Sequence, residues 1–418
     1  MDPVTRIRPP FRTLSRIAAA ALILACGGTA SGAPVPEDAV YQSATVCEQC
    51  HPEIYRTWLG SQHARSFTDP AFQLAYDRVR RGDPRRALLC ERCHNPMRFL
   101  LAAGDSRAAI FGQEGVTCDF CHSVESASAG GDFPWYRARP GVKFGPQGGQ
   151  PRKSRHATRF SRLHITSIFC AGCHELRNEH GIPVLSTYSE WEESFYRGEG
   201  VHCQFCHLPQ LFDAGFMDPA RKKGPLDHTM AGGHSRDRLA KAIHLKASLT
   251  MSGGEARLAV QVRNDTVGHK TPSGIPAHRI RLTSVLYDGA GAVLGKTEDV
   301  FERVLGDGTG KPLPHPEMVF TEAREVLKDN RIAPKETREV VHVFPAAGSR
   351  PAAAEVLLTY ELPTPDVSPG LRAIDVPIAR TVVPVREGHS LPGAALIAIA
   401  AAAFALLAAA LLVWLRRR

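Results

Sequence analysis

Five times the chain spells Cys-x-x-Cys-His: Cys47, Cys50 and His51; Cys90, Cys93 and His94; Cys118, Cys121 and His122; Cys170, Cys173 and His174; Cys203, Cys206 and His207. In this spacing two thiols bond covalently to the vinyl groups of one haem, and the adjoining histidine ligates its iron. Two intervening residues hold both sulfurs along one haem edge, and the next residue is turned under the macrocycle. Cys-x-x-Cys also builds zinc ribbons and thiol redox sites, but neither needs histidine in the following position. Histidine occupies 18 of 418 positions, so chance placement after all five pairs is about one in ten million. Ten of the eleven cysteines are consumed, which leaves no disulfide framework. The expected cofactor is haem c, five groups per chain, covalently bound.

That demand limits what the chain can fold into. Residues 34–245 carry every motif, at roughly forty residues per haem, too little polypeptide for a separate apolar core. A mostly helical, loop-rich pentahaem module is expected there, with porphyrin supplying most of the buried surface. Residues 130–153, rich in Gly, Pro, Arg and Lys, read as an irregular loop. From about residue 245 the pattern changes to period two. Leu258, Val260 and Val262 alternate with Ala259 and Gln261, and further runs follow at 279–288, 338–344, 355–362 and 376–385, with turn residues between them. An all-β immunoglobulin-like sandwich is expected over 246–386, followed by a linker at 387–392. This second region holds no cysteine and so attaches no haem covalently.

The ends read as targeting segments. Arg6, Arg8, Arg12 and Arg16 precede a short apolar core at 17–25 and small residues up to Ala33, so residues 1–33 are expected to be an export signal. Cys26 closes a stretch resembling a bacterial lipobox, where it would be acylated; cleavage after Ala30 or Gly32 would discard it instead. Residues 393–415 carry no charge and suffice for a transmembrane helix, with Trp414 at the interface and Arg416, Arg417 and Arg418 as a cytoplasmic tail. The expected location is the cytoplasmic (inner) membrane, single-pass, with the haem domain facing the periplasm. The formal charge of +9 would suit an acidic partner or nucleic acid. An exported chain does not meet nucleic acid readily, and five haems add about ten propionate charges. Much of the excess Arg and Lys reads as propionate clamps.

A low-spin carrier needs a sixth ligand on each iron, usually a second histidine. His63 lies on an amphipathic helix after the first motif and is either a ligand or part of a solvated face. His164 precedes the fourth motif by about one and a half helical turns. His156 sits in a basic stretch, as a ligand or a propionate contact. His228 is followed by Gly232 and Gly233, which let chain approach a flat macrocycle, and His234 shares that segment. His269, between Gly268 and Pro272, occupies a rigid turn of the β region that presents one side chain, across the boundary to a haem. His202 and His180 are expected to make hydrogen bonds; His244, His278, His315, His342 and His389 receive no role.

Several segments resemble the cytochrome c-554 type of multihaem cytochromes. They are Trp58 with Ser61, His63 and Ala64; the fourth motif after Phe169; Thr187 through Trp191; and the fifth motif with Leu208 and Pro209. Gly268, His269, Pro272, Ser273 and Gly274 resemble the Gly-His-x-x-Pro-Thr-Gly signature of a β-domain that often follows such modules. The resemblance spans most of residues 41–300. It implies a haem-stacked electron carrier with bis-histidine ligation, and supports His63, His164, His228 and His269 as distal ligands. A fifth motif and the apolar tail depart from its four-haem pattern, so ligand pairing does not carry over haem by haem. The expected function is single-electron transfer by a membrane-anchored periplasmic cytochrome, with redox proteins or a quinol-linked membrane complex as partners and no catalytic residue. The alternative is a multihaem reductase or oxidase of a small nitrogen or sulfur compound at one open-coordinate haem. The absence of any Cys-x-x-Cys-Lys motif weighs against it.

Overall fold

The computed structural model describes residues 41–101, 105, 108–129, 136–146, 155–209, 227–346, 348, 350–362 and 374–387. The export signal with Cys26, residues 388–392 of the linker, and the apolar segment 393–415 with its arginine tail lie outside these residues. Among the described residues, no helix is long and apolar enough to cross a membrane.

The first part of the chain is a succession of short helices: α1 (Ala44–Glu48), α2 (Pro52–Leu59), α3 (Gln62–Arg65), α4 (Pro70–Gly82), α5 (Pro84–His94), α6 (Pro96–Leu100), α7 (Ala108–Phe111), α8 (Cys118–Ser123), α9 (Ile168–His174), α10 (Thr187–Glu192), α11 (Phe195–Gly198), α12 (Cys203–His207) and α13 (Arg236–Ala242). Local chemistry starts and stops them. Proline opens α2, α4, α5 and α6 in the first turn, where its missing N–H costs nothing. Asp69 caps α4 by accepting from the backbone N–H of Ala71 and Phe72 at 3.0 and 3.1 Å, and Arg80 and Arg81 close it against the helix dipole. Three two-stranded ribbons interrupt the helices: β1 (Val124–Ala127) with β2 (Tyr136–Ala138), β3 (Val142–Gly145) with β4 (Ala157–Phe160), and β5 (Glu175–Arg177) with β6 (Pro183–Ser186). The stretch 130–153, expected as irregular loop, therefore contains β2 and β3; each is only three or four residues, too short for an alternation signal.

The second part is a large β-domain of β7 (Ile243–Ser252), β8 (Glu255–Asn264), β9 (Arg279–Asp288), β10 (Val293–Gly306), β11 (Glu325–Asp329), β12 (Thr337–Pro345), β13 (Pro351–Leu362) and β14 (Ile374–Glu387). The hydrogen-bonded order is β11-β10-β9-β13-β14-β7-β8-β12. β14 joins the two halves: it runs antiparallel to β13 from Ile374 to Pro384, then pairs parallel with β7 through Val385, Arg386 and Glu387. A register shift falls where Thr359 faces Pro377, a residue that cannot donate to the ladder. Strict alternation drives the burial. Ala256, Leu258, Val260 and Val262 of β8 and Ile280, Leu282 and Leu286 of β9 point inward, in one cluster with Val356 and Leu358 of β13. The turn that carries His269 joins β8 to β9.

Candidate haem-binding cavity

All five motifs line one cavity of about 3310 Å³, about three times the ~1,000 Å³ upper bound of an ordinary small-molecule pocket. Four of the motifs are helical: α5 and α9 end on His94 and His174, α8 holds the third motif and α12 the fifth. Residues three apart share a helix face, so each sulfur pair points one way. The first motif runs from the end of α1 to His51, the N-cap of α2.

Motif cysteines distant in sequence meet in space. The side chains of Cys47 and Cys118 come together, as do those of Cys93 and Cys173 and of Cys170 and Cys203. Cys121 also lies within electrostatic range of Cys170 and Cys173. The first motif therefore abuts the third, and the fourth abuts the second and fifth and stands near the third. The fourth is the junction of the set.

A histidine that ligates through one ring nitrogen is usually oriented by the hydrogen bond its other nitrogen donates. His94 Nδ1 donates to the Ser66 carbonyl at 2.8 Å, His122 to Phe144 at 2.7 Å and His207 to Ala231 at 2.9 Å. A carbonyl only accepts, so the proton sits on Nδ1 and Nε2 is left for a metal. In the β-domain His269 Nδ1 donates to the Lys270 carbonyl at 2.9 Å, and His278 Nδ1 to Ser273 at 2.8 Å. His278, to which the sequence gives no role, thus joins the cavity wall in a ligand-like pose. Its signal is tertiary, because nothing in its local sequence distinguishes it.

Metal-to-imidazole bonds of about 2.0–2.1 Å put two histidines of one iron with ring centroids roughly 6 Å apart. His63 on α3 and His174 on α9 stand 6.2 Å apart, nearly perpendicular at 78°. His122 has two imidazole neighbours, His228 at 6.5 Å and His164 at 5.9 Å. They differ in what they face. His164 Nε2 donates to the Cys121 carbonyl at 3.0 Å, the backbone of the motif that bears His122, and its ring packs on Phe169. The His228 backbone N–H donates to Thr57 Oγ1 at 3.0 Å, on α2. His269 lies within electrostatic range of His174 and His207, and His156 of His51. His63, His156, His164, His228 and His269 all line the cavity. His202, expected as a hydrogen-bonding residue, accepts at Nδ1 from the Ser167 backbone N–H at 3.2 Å.

Burial sets the protonation state of these rings. It pushes His63 and His207 down to about 4 and His122 down to about 3, with neighbouring imidazoles adding to the effect. The neutral imidazole that remains at neutral pH is the form that binds iron. The donor set, anchored tautomers and cavity size fit covalently held haem. His94 differs from the others in its ring contact: Phe72 of α4 stacks on it, centroids 3.9 Å apart at 13°.

Comparison with known proteins agrees with this chemistry. The family model described as cytochrome c554 and c-prime matches residues 46–123. The chain is similar to the solved structure of a penta-heme cytochrome c552 from Thermochromatium tepidum, at 27% identity over 82% of this chain and 99% of that one, with a TM-score of 0.67. A likeness to the C-terminal domain of wzt, 12% identical over 34% of this chain and 70% of that one at a TM-score of 0.16, carries no argument. No curated protein matches. Together these likenesses support a multihaem c-type cytochrome with haem c as its cofactor.

Proposed function

We propose that the protein is an exported, membrane-anchored pentahaem cytochrome that passes single electrons between redox partners. The observation that carries this reading is the convergence of all five motifs on one continuous cavity. Sulfur-to-sulfur contacts between motifs support it, as does the penta-heme description of the Thermochromatium tepidum relative. Bound haem c supplies a one-electron iron couple at each motif. The chain's own residues attach it, orient it and shield it from water. In this reading the cysteine pairs fix the edges and His51, His94, His122, His174 and His207 are proximal ligands. When haem is bound, the distal partners would be His63 for His174, His228 for His122, His269 for His207 and His156 for His51. His164 stands beside His122 and orients its motif. The β-domain is read as an immunoglobulin-like sandwich closed through β14, holding His269 toward the haems.

Residues 1–33 and 393–415 support export and anchoring in the cytoplasmic membrane, with the haem domain periplasmic. The partners in this reading are redox proteins or a quinol-linked membrane complex, not nucleic acid. Intact mass of the matured chain tests the count. Five haem increments are expected, and four or fewer would overturn it.

One place favours a second reading, reduction or oxidation of a small nitrogen or sulfur compound. Among the described residues no second imidazole pairs with His94, whose ring is packed face to face on Phe72. The cavity wall also bears Arg78, whose Nη1 stands 3.5 Å from His315 Nδ1 and 3.3 Å from Glu317 Oε1. Such groups serve acid–base chemistry. A carbon monoxide difference spectrum separates the readings: a carrier in which a further cavity histidine such as His278 closes the iron at His94 leaves it flat, and an open haem at His94 does not.

A further inference from the structure

We infer that Glu190 and Arg331 form a buried ionic clamp that fixes the His269 turn to the haem module, making Glu190 a positioning residue for iron ligation. This rests on the reading of His269 as an axial ligand and adds what holds that ligand in place.

A ligand delivered from a turn of one region to a metal held by another must keep its geometry to within about half an ångström. The β-domain secures only its own side of this turn. Asn264 Nδ2 donates to the carbonyls of His269 and Ile332, both at 3.1 Å. Thr271 and Ile332 exchange backbone hydrogen bonds at 2.9 and 3.0 Å. None of these bonds reaches the haem module.

Glu190 supplies that reach. It lies on α10, in the segment between the fourth and fifth motifs, and its side chain is 6% exposed. Its Oε2 accepts from the backbone N–H of Lys270, the residue after His269, at 3.1 Å, and from Ser273 Oγ at 3.3 Å. Its Oε1 meets Arg331 Nη2 at 2.7 Å and accepts from Ser186 Oγ at 2.8 Å. Arg331, 4% exposed, approaches from the strand side of the turn. Its Nη1 donates to the Pro272 carbonyl at 3.3 Å, and its Nε and Nη2 donate to Asp329 at 2.8 and 2.9 Å. Residues 270–273 are thus gripped by a carboxylate from the haem side and a guanidinium from the β side. Thr187 adds a bond to Ser273 Oγ at 2.8 Å, and Gly268 packs so closely on Trp191 that a Cβ there would sit 3.3 Å from Cδ1.

The chemistry explains why a carboxylate is needed. A neutral amide of the same shape has one accepting and one donating end, whereas this site presents donors to both oxygens. Without Glu190, the buried Arg331 loses one of its three partners and the turn loses its hold on the haem side, both at a cost.

The test uses full-length matured protein and ferric spectra, with carbon monoxide binding to the reduced form. His269→Ala is expected to turn about one-fifth of total haem, one of five groups, high-spin and carbon-monoxide-reactive. Glu190→Gln and Glu190→Ala are expected to produce the same signature at smaller amplitude, growing with temperature, with the other haems unchanged. Glu190→Asp, which keeps the charge, should restore most of the low-spin signal. A Glu190→Gln/His269→Ala double variant should show no more high-spin haem than His269→Ala alone. If Glu190→Ala fails to mature, the isosteric Glu190→Gln decides. Low-spin spectra in the glutamate variants beside a high-spin His269→Ala overturn the clamp and leave the ligand reading standing. A low-spin His269→Ala removes the ligand reading, and the clamp with it.

Discussion

In the β-domain nineteen buried apolar residues form one cluster, contributed by β7, β8, β9, β10, β12, β13, β14 and the flanking chain. Among the described residues of the haem module the largest such cluster has six members, and two others have three each, around a cavity of about 3310 Å³. The two regions are connected covalently, by a small apolar seam where Val184 of β6 packs with Leu305, Val319 and Ala323, and by the polar contacts of Glu190 with Arg331 and the His269 turn. One region makes its interior from its own side chains, by alternation along strands. The other arranges helices so that cysteines and imidazoles face a space, and relies on the cofactor to complete the interior. A chain that attaches its cofactor covalently can build in this second way because the haem cannot dissociate.

That contrast yields its largest effect when haem is withheld. A chain matured without haem attachment, by Cys→Ala at all ten motif positions, should lose the helical signal of residues 41–209 while the β-domain keeps its fold. Circular dichroism and limited proteolysis would show it, as a resistant fragment beginning near Ile243. A haem-free chain that retains its helices would break the comparison.

A smaller effect follows from the core itself. Leu282 is fully buried on β9, and Leu282→Ala should cost ~2–5 kcal/mol of β-domain stability. Under native conditions the haem spectrum should stay as it is, because the residue packs among other strand residues of the same cluster. Denaturant unfolding followed by far-ultraviolet dichroism and by the Soret band would then give two separate transitions. Coincident transitions, both displaced, would mean the regions unfold as one unit through the Val184 seam.

The same contrast governs how much could be read from sequence. The runs 279–288, 338–344, 355–362 and 376–385 fall within β9, β12, β13 and β14, because inward and outward residues alternate locally. β10 and β11 gave no such signal: β10 is half-buried along most of its length, and β11 is five residues long. The motifs were fully legible, since two cysteines and a histidine must be adjacent to attach one haem. What brings Cys47 to Cys118, or Cys170 to Cys203, is tertiary packing across many residues, and no local pattern encodes it. Glu190 stood out only as part of a family-like segment. Its partner Arg331 lies 141 positions away, so its chemistry appears only when the two side chains meet at 2.7 Å. The anchored Nδ1 of His278 was invisible for the same reason.

The smallest expected effect asks whether helices of the haem module are held by haem alone. Asp69 caps α4 through two backbone hydrogen bonds at 3.0 and 3.1 Å, and α4 brings Phe72 against His94. Removing a cap of this kind costs ~1 kcal/mol. The aspartate also lies within electrostatic range of His94 and His234, so its charge and its cap must be separated. Asparagine caps about as well as aspartate but carries no charge. Asp69→Ala should therefore lower the denaturation free energy of the haem-loaded protein by ~1 kcal/mol, while Asp69→Asn leaves it nearly unchanged. Any change in reduction potential should appear in both variants, because both lose the charge. If Asp69→Ala costs nothing, α4 is ordered by the cofactor side and its local sequence signals are redundant there. If both variants destabilise equally, the charge rather than the cap holds the helix against the cavity, and short helices like α4 are electrostatic supports for the haem.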